Sequence, residues 1–357
     1  MNTWGTKIRL SIFGESHGEA LGIVIDGLKA GTKLNLENIN KFIDRRRAGK
    51  SSFTTSRKEK DEYRILSGYK DGHTTGAPLC VIFENTNTQS KDYENLKVLL
   101  RPNHADYPAA IKFKGFNDIR GGGHFSGRIT LALTFAGAVA MDILEEKGIK
   151  IFSHIKKILD IKDKSFLDFK EVDIDKFKNL KESSLAFIED DLEIKVKELL
   201  EKIKLSGNSV GGEIECACYN LPVGLGSPFF DSLESKISHL AFSVPAVKGI
   251  QFGIGFDFSN ILGSEANDLY YLEDDKIKTK TNNNGGILGG LSTGMPLVFS
   301  VVIKPTPSIS IEQETVNIKE MKNDILKISG RHDACIVPRV MPVIEAITAL
   351  AILDEIL

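Results

Sequence analysis

The chain has 357 residues, of which 41% are hydrophobic and 26% charged, with a formal net charge of −2. That length is enough to bury a sizeable core in one large domain or two ordinary ones. The near-neutral balance speaks against a nucleic-acid or membrane-surface protein, which would show a basic excess.

The start, MNTWGTKIRLSIFGESHG, holds no apolar h-region and no small-residue cleavage site, so no secretory signal is expected. A strand-like run from Leu10 to Phe13 leads straight into Gly14, Glu15, Ser16 and His17, which puts Ser16 and His17 at a strand end, where sites tend to lie. Gly22 to Asp26 alternates like a strand. Three arginines follow at Arg45, Arg46 and Arg47. Residues 130–147 are apolar on nearly every face and stop at Gly148, the signature of a helix covered on all sides. From about residue 150 to 205 the texture changes to Lys, Asp and Glu with almost no Gly. Leu192, Val196, Leu199, Leu200 and Ile203 recur there at helical spacing before Gly207. This stretch reads as a charged, partly helical, peripheral excursion from a single domain spanning 1–357. Glu213 to Tyr219 and Leu297 to Lys304 alternate as strands. The tail, apolar from Pro342 at an expected first helical position, reads as a second buried helix. It is interrupted by Glu345, Asp354 and Glu355 and falls short of the ~20 apolar residues of a membrane span, so a cytoplasmic location with no membrane partner is expected. The pattern implies buried helices enclosed by sheets. A doubly wound sheet is disfavoured, since no regular βαβ alternation is present.

The four cysteines, Cys80, Cys216, Cys218 and Cys335, lack metal spacing and read as reduced, mostly buried thiols, with no metal expected. Arginine is distributed unevenly: nine lie at or before Arg128, two at Arg331 and Arg339, and none between. Guanidinium grips phosphate and carboxylate in a planar fork that lysine lacks, so such rationing points to anion recognition. The glycine-rich loops complete neither a P-loop nor a dinucleotide fingerprint, and each alone is a turn. The run from Arg120 through Gly121, Gly122, Gly123 and His124 to Arg128 is more specific, because a buried helix starts just after it and offers an anion site at its N-terminus. His17, His104, His124 and His332 each stand beside arginine or an acidic residue in short loops. A lone histidine is more often structural than catalytic, and adjacent Ser16 and His17 without G-x-S-x-G do not make a hydrolase. Arginine, histidine and one aspartate together suit a polyanionic small substrate that loses phosphate without a metal. The residues alone stop at that reaction class.

Read in order, eleven strings resemble the chorismate synthase family. They are FGESHG (13–18), DRRRAG (44–49), LSG (66–68), RPNHADY (101–107), RGGGHFSGR (120–128), GNSVGG (207–212), LPVGLGSP (221–228), AVKGIQFG (246–253), GGILGGLSTG (285–294), KPTPS (304–308) and SGRHDACIVPR (329–339). The resemblance implies an α+β fold in which antiparallel sheets sandwich central buried helices, and a homotetramer that requires reduced FMN and converts 5-enolpyruvylshikimate 3-phosphate to chorismate without net redox change. By the same resemblance His17 is the acid near the leaving phosphate, His104 lies near the flavin, and Asp333 assists proton removal. Arg46, Arg101, Ser126, Arg128 and Arg331 match substrate-binding positions. His124, Phe125, Ser126, Pro245, Ala246, Gly289, Lys304, Pro305, Thr306, Pro307, Ser308 and Arg331 match positions at the flavin. NADPH enters only if the chain reduces its own flavin, in which case Arg46 is a candidate contact.

The chain departs from the family pattern at Ser52, at His124-Phe125-Ser126 in place of Arg-Ser-Ser, at Ile129 and at Ala334. His124 either faces an anion of flavin or substrate, or caps the following helix beside Phe125. Two other readings remain open: a different flavin or nicotinamide oxidoreductase, which would show net redox turnover, and a nucleic-acid module built on Arg45 to Arg47.

Overall fold

The structure is a computed structural model that describes residues 2–47, 49, 61–85, 98–169, 174–328 and 333–357. Two helices, Thr130–Glu145 and Val337–Ile356, form its centre and pack on each other. Each is apolar almost all round because each is covered almost all round. In the second, nearly every residue from Val337 to Asp354 is buried. Gly137 allows the close crossing: a Cβ there would lie 2.2 Å from the Ala346 Cβ. By length and composition the Gly127–Glu145 stretch would suffice to cross a membrane, but 78% of its apolar window is buried inside the protein.

A five-stranded antiparallel sheet lies against this pair, in the order Thr3–Trp4, Arg9–Gly14, Ala20–Asp26, Leu79–Glu84, Tyr63–Ser67. Alternation decides its inner face. Leu21, Ile23 and Ile25 from one strand and Leu79, Val81 and Phe83 from the next are essentially inaccessible. A second five-stranded antiparallel sheet packs against the C-terminal helix, in the order Val247–Phe252, Leu297–Ile303, Gly212–Tyr219, Lys150–Ile158, Ile161–Lys162. The expected α+β class, with antiparallel sheets around central helices, is the one observed.

Two local expectations change. The C-terminal helix starts at Val337 rather than Pro342, with Pro338 in its first turn and Pro342 inside it. Proline fits the first turn, where its missing N–H has no intrahelical partner in any case. Residues 150–205 are also more than a solvated excursion. They open on the Lys150–Ile158 strand, which pairs along Gly212–Tyr219, and only afterwards run out into the helices Ile174–Glu182 and Asp191–Leu205. Phe166 and Phe177 cover the sheet's outer face, with Phe177 stacked on Tyr219 at 6.0 Å. Beneath them His154 lies between Asp163 (2.9 Å) and Glu215 (3.1 Å), and Lys156 reaches Glu215 at 2.7 Å. Of the charged residues in this stretch, Lys156 and Asp163 are paired and buried.

The end of the chain closes on its beginning. Asp354, 1% exposed, accepts hydrogen bonds from the backbone N–H groups of Thr6 (3.0 Å), Lys7 (2.7 Å) and Ile8 (3.0 Å), and from the Thr6 hydroxyl.

Candidate active site

The strand Arg9–Gly14 ends at a glycine with φ +98°, where a Cβ would collide with the Ala20 carbonyl at 2.4 Å. The tight exit drops Ser16 and His17 into the interior, where both are buried. The Ser16 N–H donates to the Gly123 carbonyl at 3.1 Å, while its hydroxyl has no hydrogen-bond partner among the described residues. A buried hydroxyl left unsatisfied is uncommon and marks a place where a ligand can complete the bonding.

Gly123 belongs to the turn Arg120–Phe125, whose three glycines all have positive φ. The lack of side chains is required here. A Cβ on Gly121 would stand 2.4 Å from His17 Cδ2 and 2.6 Å from its Nε2, and one on Gly123 would lie 1.9 Å from the Asp118 carbonyl oxygen. On the other side of the same turn, Nε2 of His104 is 3.6 Å from the Cβ position of Gly122. The two histidines therefore flank one bare stretch of backbone. After it, Ser126 accepts from the Arg128 N–H at 3.3 Å and caps the entry to the central helix.

His104 is held from behind. Its Nδ1 is 2.6 Å from Asp106 Oδ1, and Arg101 grips the same carboxylate through Nε (2.8 Å) and Nη2 (2.7 Å). The Arg101 backbone N–H also donates to Asp106, at 3.0 Å. Burial by itself would raise the Asp106 carboxyl, but hydrogen bonds and charge from Arg101 and His104 outweigh it and hold Asp106 well below the ordinary carboxylate range. Arg101 faces its own loop and grips that carboxylate.

Arg46 and Arg128 meet at Asp61, at 3.5 and 3.1 Å, and Arg46 also donates to the Gly127 carbonyl at 3.3 Å. Asn85 accepts from Arg128 Nε at 2.6 Å while its amide N–H groups donate to the carbonyls of Glu15 (3.0 Å) and Gly18 (2.9 Å). It thereby ties the His17 loop to Arg128. On the far side, Arg339 Nη1 is 2.5 Å from Asp333 Oδ2 and its Nε donates to the Arg46 carbonyl at 3.1 Å. Thr306 contacts the Asp333 carbonyl at 3.4 Å, and Lys304 reaches Asn103 in the His104 loop at 2.5 Å. The Lys304 N–H donates at 2.9 Å to the carbonyl of Ala246, which sits beside Pro245 with φ +74°. Contacts thus run in an unbroken circuit from His17 through Gly121, Gly122, His104, Asn103, Lys304, Thr306, Asp333, Arg339, Arg46, Asp61, Arg128 and Asn85 back to the His17 loop.

Burial first, and then the neighbouring charge of Lys248, push the Lys304 ammonium below its ordinary value. Among the described residues neither of these two cations is paired with a carboxylate, which suits an anion on the 304–308 loop, where Pro305 and Pro307 stiffen the turn.

Some expected residues are not brought in. His124 is engaged elsewhere: Nδ1 contacts the Gly14 carbonyl at 2.8 Å and Nε2 contacts Asn2 Oδ1 at 3.2 Å. In this structure both ring nitrogens serve the first strand and its flank. Phe125 packs near Phe113, with centroids 6.3 Å apart. Gly289 sits at the tip of the Ile287–Leu288 and Leu291–Ser292 hairpin with open space around it, beside the 221–233 segment. Arg331 and Ser52 lie outside the described residues. Asp61, Asn85, Asp106 and Arg339 act in the site, yet sequence reading gave them no role. Only Asp106 carried a signal, two residues after a histidine in a short loop.

This set of histidines, arginines and one aspartate agrees with the wider comparisons. The chorismate synthase family matches residues 8–357. The chain belongs to the chorismate synthase family. It is similar to the chorismate synthase of Thermococcus kodakarensis, 43% identical over 99% of this chain and 97% of that one. It is similar to that of Methanococcoides burtonii, 44% identical over 100% and 96%. A crystal structure of chorismate synthase resembles the fold with a TM-score of 0.77, at 27% identity, covering 99% of this chain and 92% of the other.

Proposed function

We propose that this protein is a chorismate synthase, a lyase that removes phosphate and the C6 proton from 5-enolpyruvylshikimate 3-phosphate to give chorismate, with reduced FMN and no net oxidation. One C–O bond and one C–H bond break and one carbon–carbon π bond forms. The observation that carries this reading is the contact circuit, which joins a buried acid (His17), two arginines (Arg46, Arg128) and a carboxylate (Asp333) around one bare glycine turn.

Within it, His17 protonates the departing phosphate while Arg46 and Arg128 stabilise its charge. Asp333, oriented by Arg339, receives the proton from carbon. The unsatisfied Ser16 hydroxyl and the Lys304–Lys248 pair fit an anionic cofactor. Lys304, Pro305, Thr306, Pro307 and Ser308 with Ala246 would hold reduced flavin, which supplies the electron richness that the elimination needs. Exposed Phe116, Phe229, Phe230 and Phe256, each more than 80% accessible, support a homotetramer in which they are covered. A cytoplasmic setting agrees with a reduced cofactor and free thiols.

The test is anaerobic incubation with the enolpyruvyl substrate. Chorismate should form with reduced FMN and not with oxidised FMN, and flavin should not be consumed stoichiometrically. Equal rates with both flavin states would sink the reading.

A further inference from the structure

The loop that carries His104 holds three groups in a fixed relation. Asp106 Oδ1 lies 2.6 Å from Nδ1, while both Asp106 oxygens are also held by Arg101. Arg101 Nη2 comes within 3.1 Å of the same ring nitrogen. An ionised carboxylate can only accept, so the 2.6 Å contact to Asp106 Oδ1 requires a donor at Nδ1, and the Arg101 guanidinium, itself only a donor, shares that carboxylate with the ring. Nδ1 must then carry the proton, which leaves Nε2 toward the glycine turn with its lone pair free in the neutral ring.

We infer that Arg101 and Asp106 are positioning residues that fix His104 as its Nδ1–H tautomer and present Nε2 to the reacting ligands, so that Arg101 acts through Asp106 and not as a substrate clamp. An isolated imidazole samples both tautomers and rotates. Here the carboxylate settles both, and Arg101 keeps that carboxylate ionised and in plane. Asn103, with φ +59°, and its contact to Lys304 hold the loop from the other side. The charged or titratable groups packed near the ring are Arg101 and Asp106 on its own loop, Lys304, and His17 across the turn. Arg120 and Asp118 lie beyond and pair with each other at 2.7 Å.

The inference rests on the proposed reaction for its kinetic arm but not for its spectroscopic one. In flavin-free protein labelled with 15N-histidine, the neutral form of the His104 ring should show Nδ1 protonated and Nε2 bare. Asp106→Asn should abolish that preference, and Asp106→Glu should restore part of it. In turnover, Asp106→Asn and Arg101→Gln should lower kcat by about 10²-fold with KM changed less than threefold, and both should shift the pH profile of kcat. A mixed tautomer in the parent would overturn the inference. So would an Arg101→Gln variant that raises KM tenfold or more with kcat and tautomer unchanged. A parent showing the expected tautomer but making no chorismate would uphold the positioning and overturn the reaction instead.

Discussion

Arg45 Nη1 and Nη2 lie 2.5 and 2.8 Å from the two carboxylate oxygens of Glu345, a pairing of residues 300 positions apart. Glu345 is wholly buried and also accepts from the Ser153 hydroxyl at 2.6 Å. Burial would raise its carboxyl, but the charge and hydrogen bonds of Arg45 prevail and hold it low. Arg45→Met leaves an ionised carboxylate without its counter-charge in the interior, which typically costs about 3–5 kcal/mol. Urea denaturation should show that loss, and Arg45→Met combined with Glu345→Gln should recover part of it. A single variant as stable as the parent would contradict the pairing.

Gly121 and Gly122 separate conformational strain from steric conflict. Both have positive φ, so an alanine at either pays a similar left-handed cost of roughly 1–2 kcal/mol. Only at Gly121 does the new methyl meet His17, whereas the nearest atom to the Gly122 position is 3.6 Å away. Gly121→Ala should lower kcat by at least about 10²-fold, well beyond Gly122→Ala. Similar kcat values in two folded variants would show that His17 is not gauged by this turn.

His154 links stability to pH. Burial disfavours its charged form, but hydrogen bonds and charges from Asp163 and Glu215 outweigh that and raise its pKa. The sign follows: stabilisation is full below the unfolded value of about 6.5 and is lost as pH rises through the higher folded value. Thermal unfolding of the parent should weaken on the alkaline side more steeply than that of His154→Gln. Parallel curves above pH 7 would exclude a charged His154 in the native state.

His124 should behave as a structural residue. His124→Ala removes contacts to Gly14 and Asn2, worth about 0.5–1.5 kcal/mol each. It should lower the melting temperature while leaving reduced-FMN affinity unchanged. Weaker flavin binding at unaltered stability would return this residue to the cofactor site.

The central helices were legible because a helix apolar on every face can only be a covered one, and the outer strands because they alternate. The Lys150–Ile158 strand was hidden by His154 and Lys156, whose partners Asp163 and Glu215 lie elsewhere along the chain, so their burial leaves no local pattern. The site shows the same division. His17, Arg46, Arg128 and Asp333 sit in motifs that announce themselves, while Asp61 and Asn85 matter through contacts across 15 to 70 positions and Arg339 through one contact 6 positions away and another 293 away. Arg101 sat in a recognisable string, and the carboxylate it grips in this structure lies five residues away in the same string. Residue type pointed to an anion, and distance showed which one.

Asp354 satisfies the N–H groups of Thr6, Lys7 and Ile8 from 346 to 348 positions away. On a ribosome adding roughly 5–20 residues per second, about 17–70 s pass between the synthesis of these groups and of their acceptor. For that interval the edge of the first sheet has no native partner at this corner, and water must serve it. The corner at Thr6 to Ile8 is therefore made early and secured late.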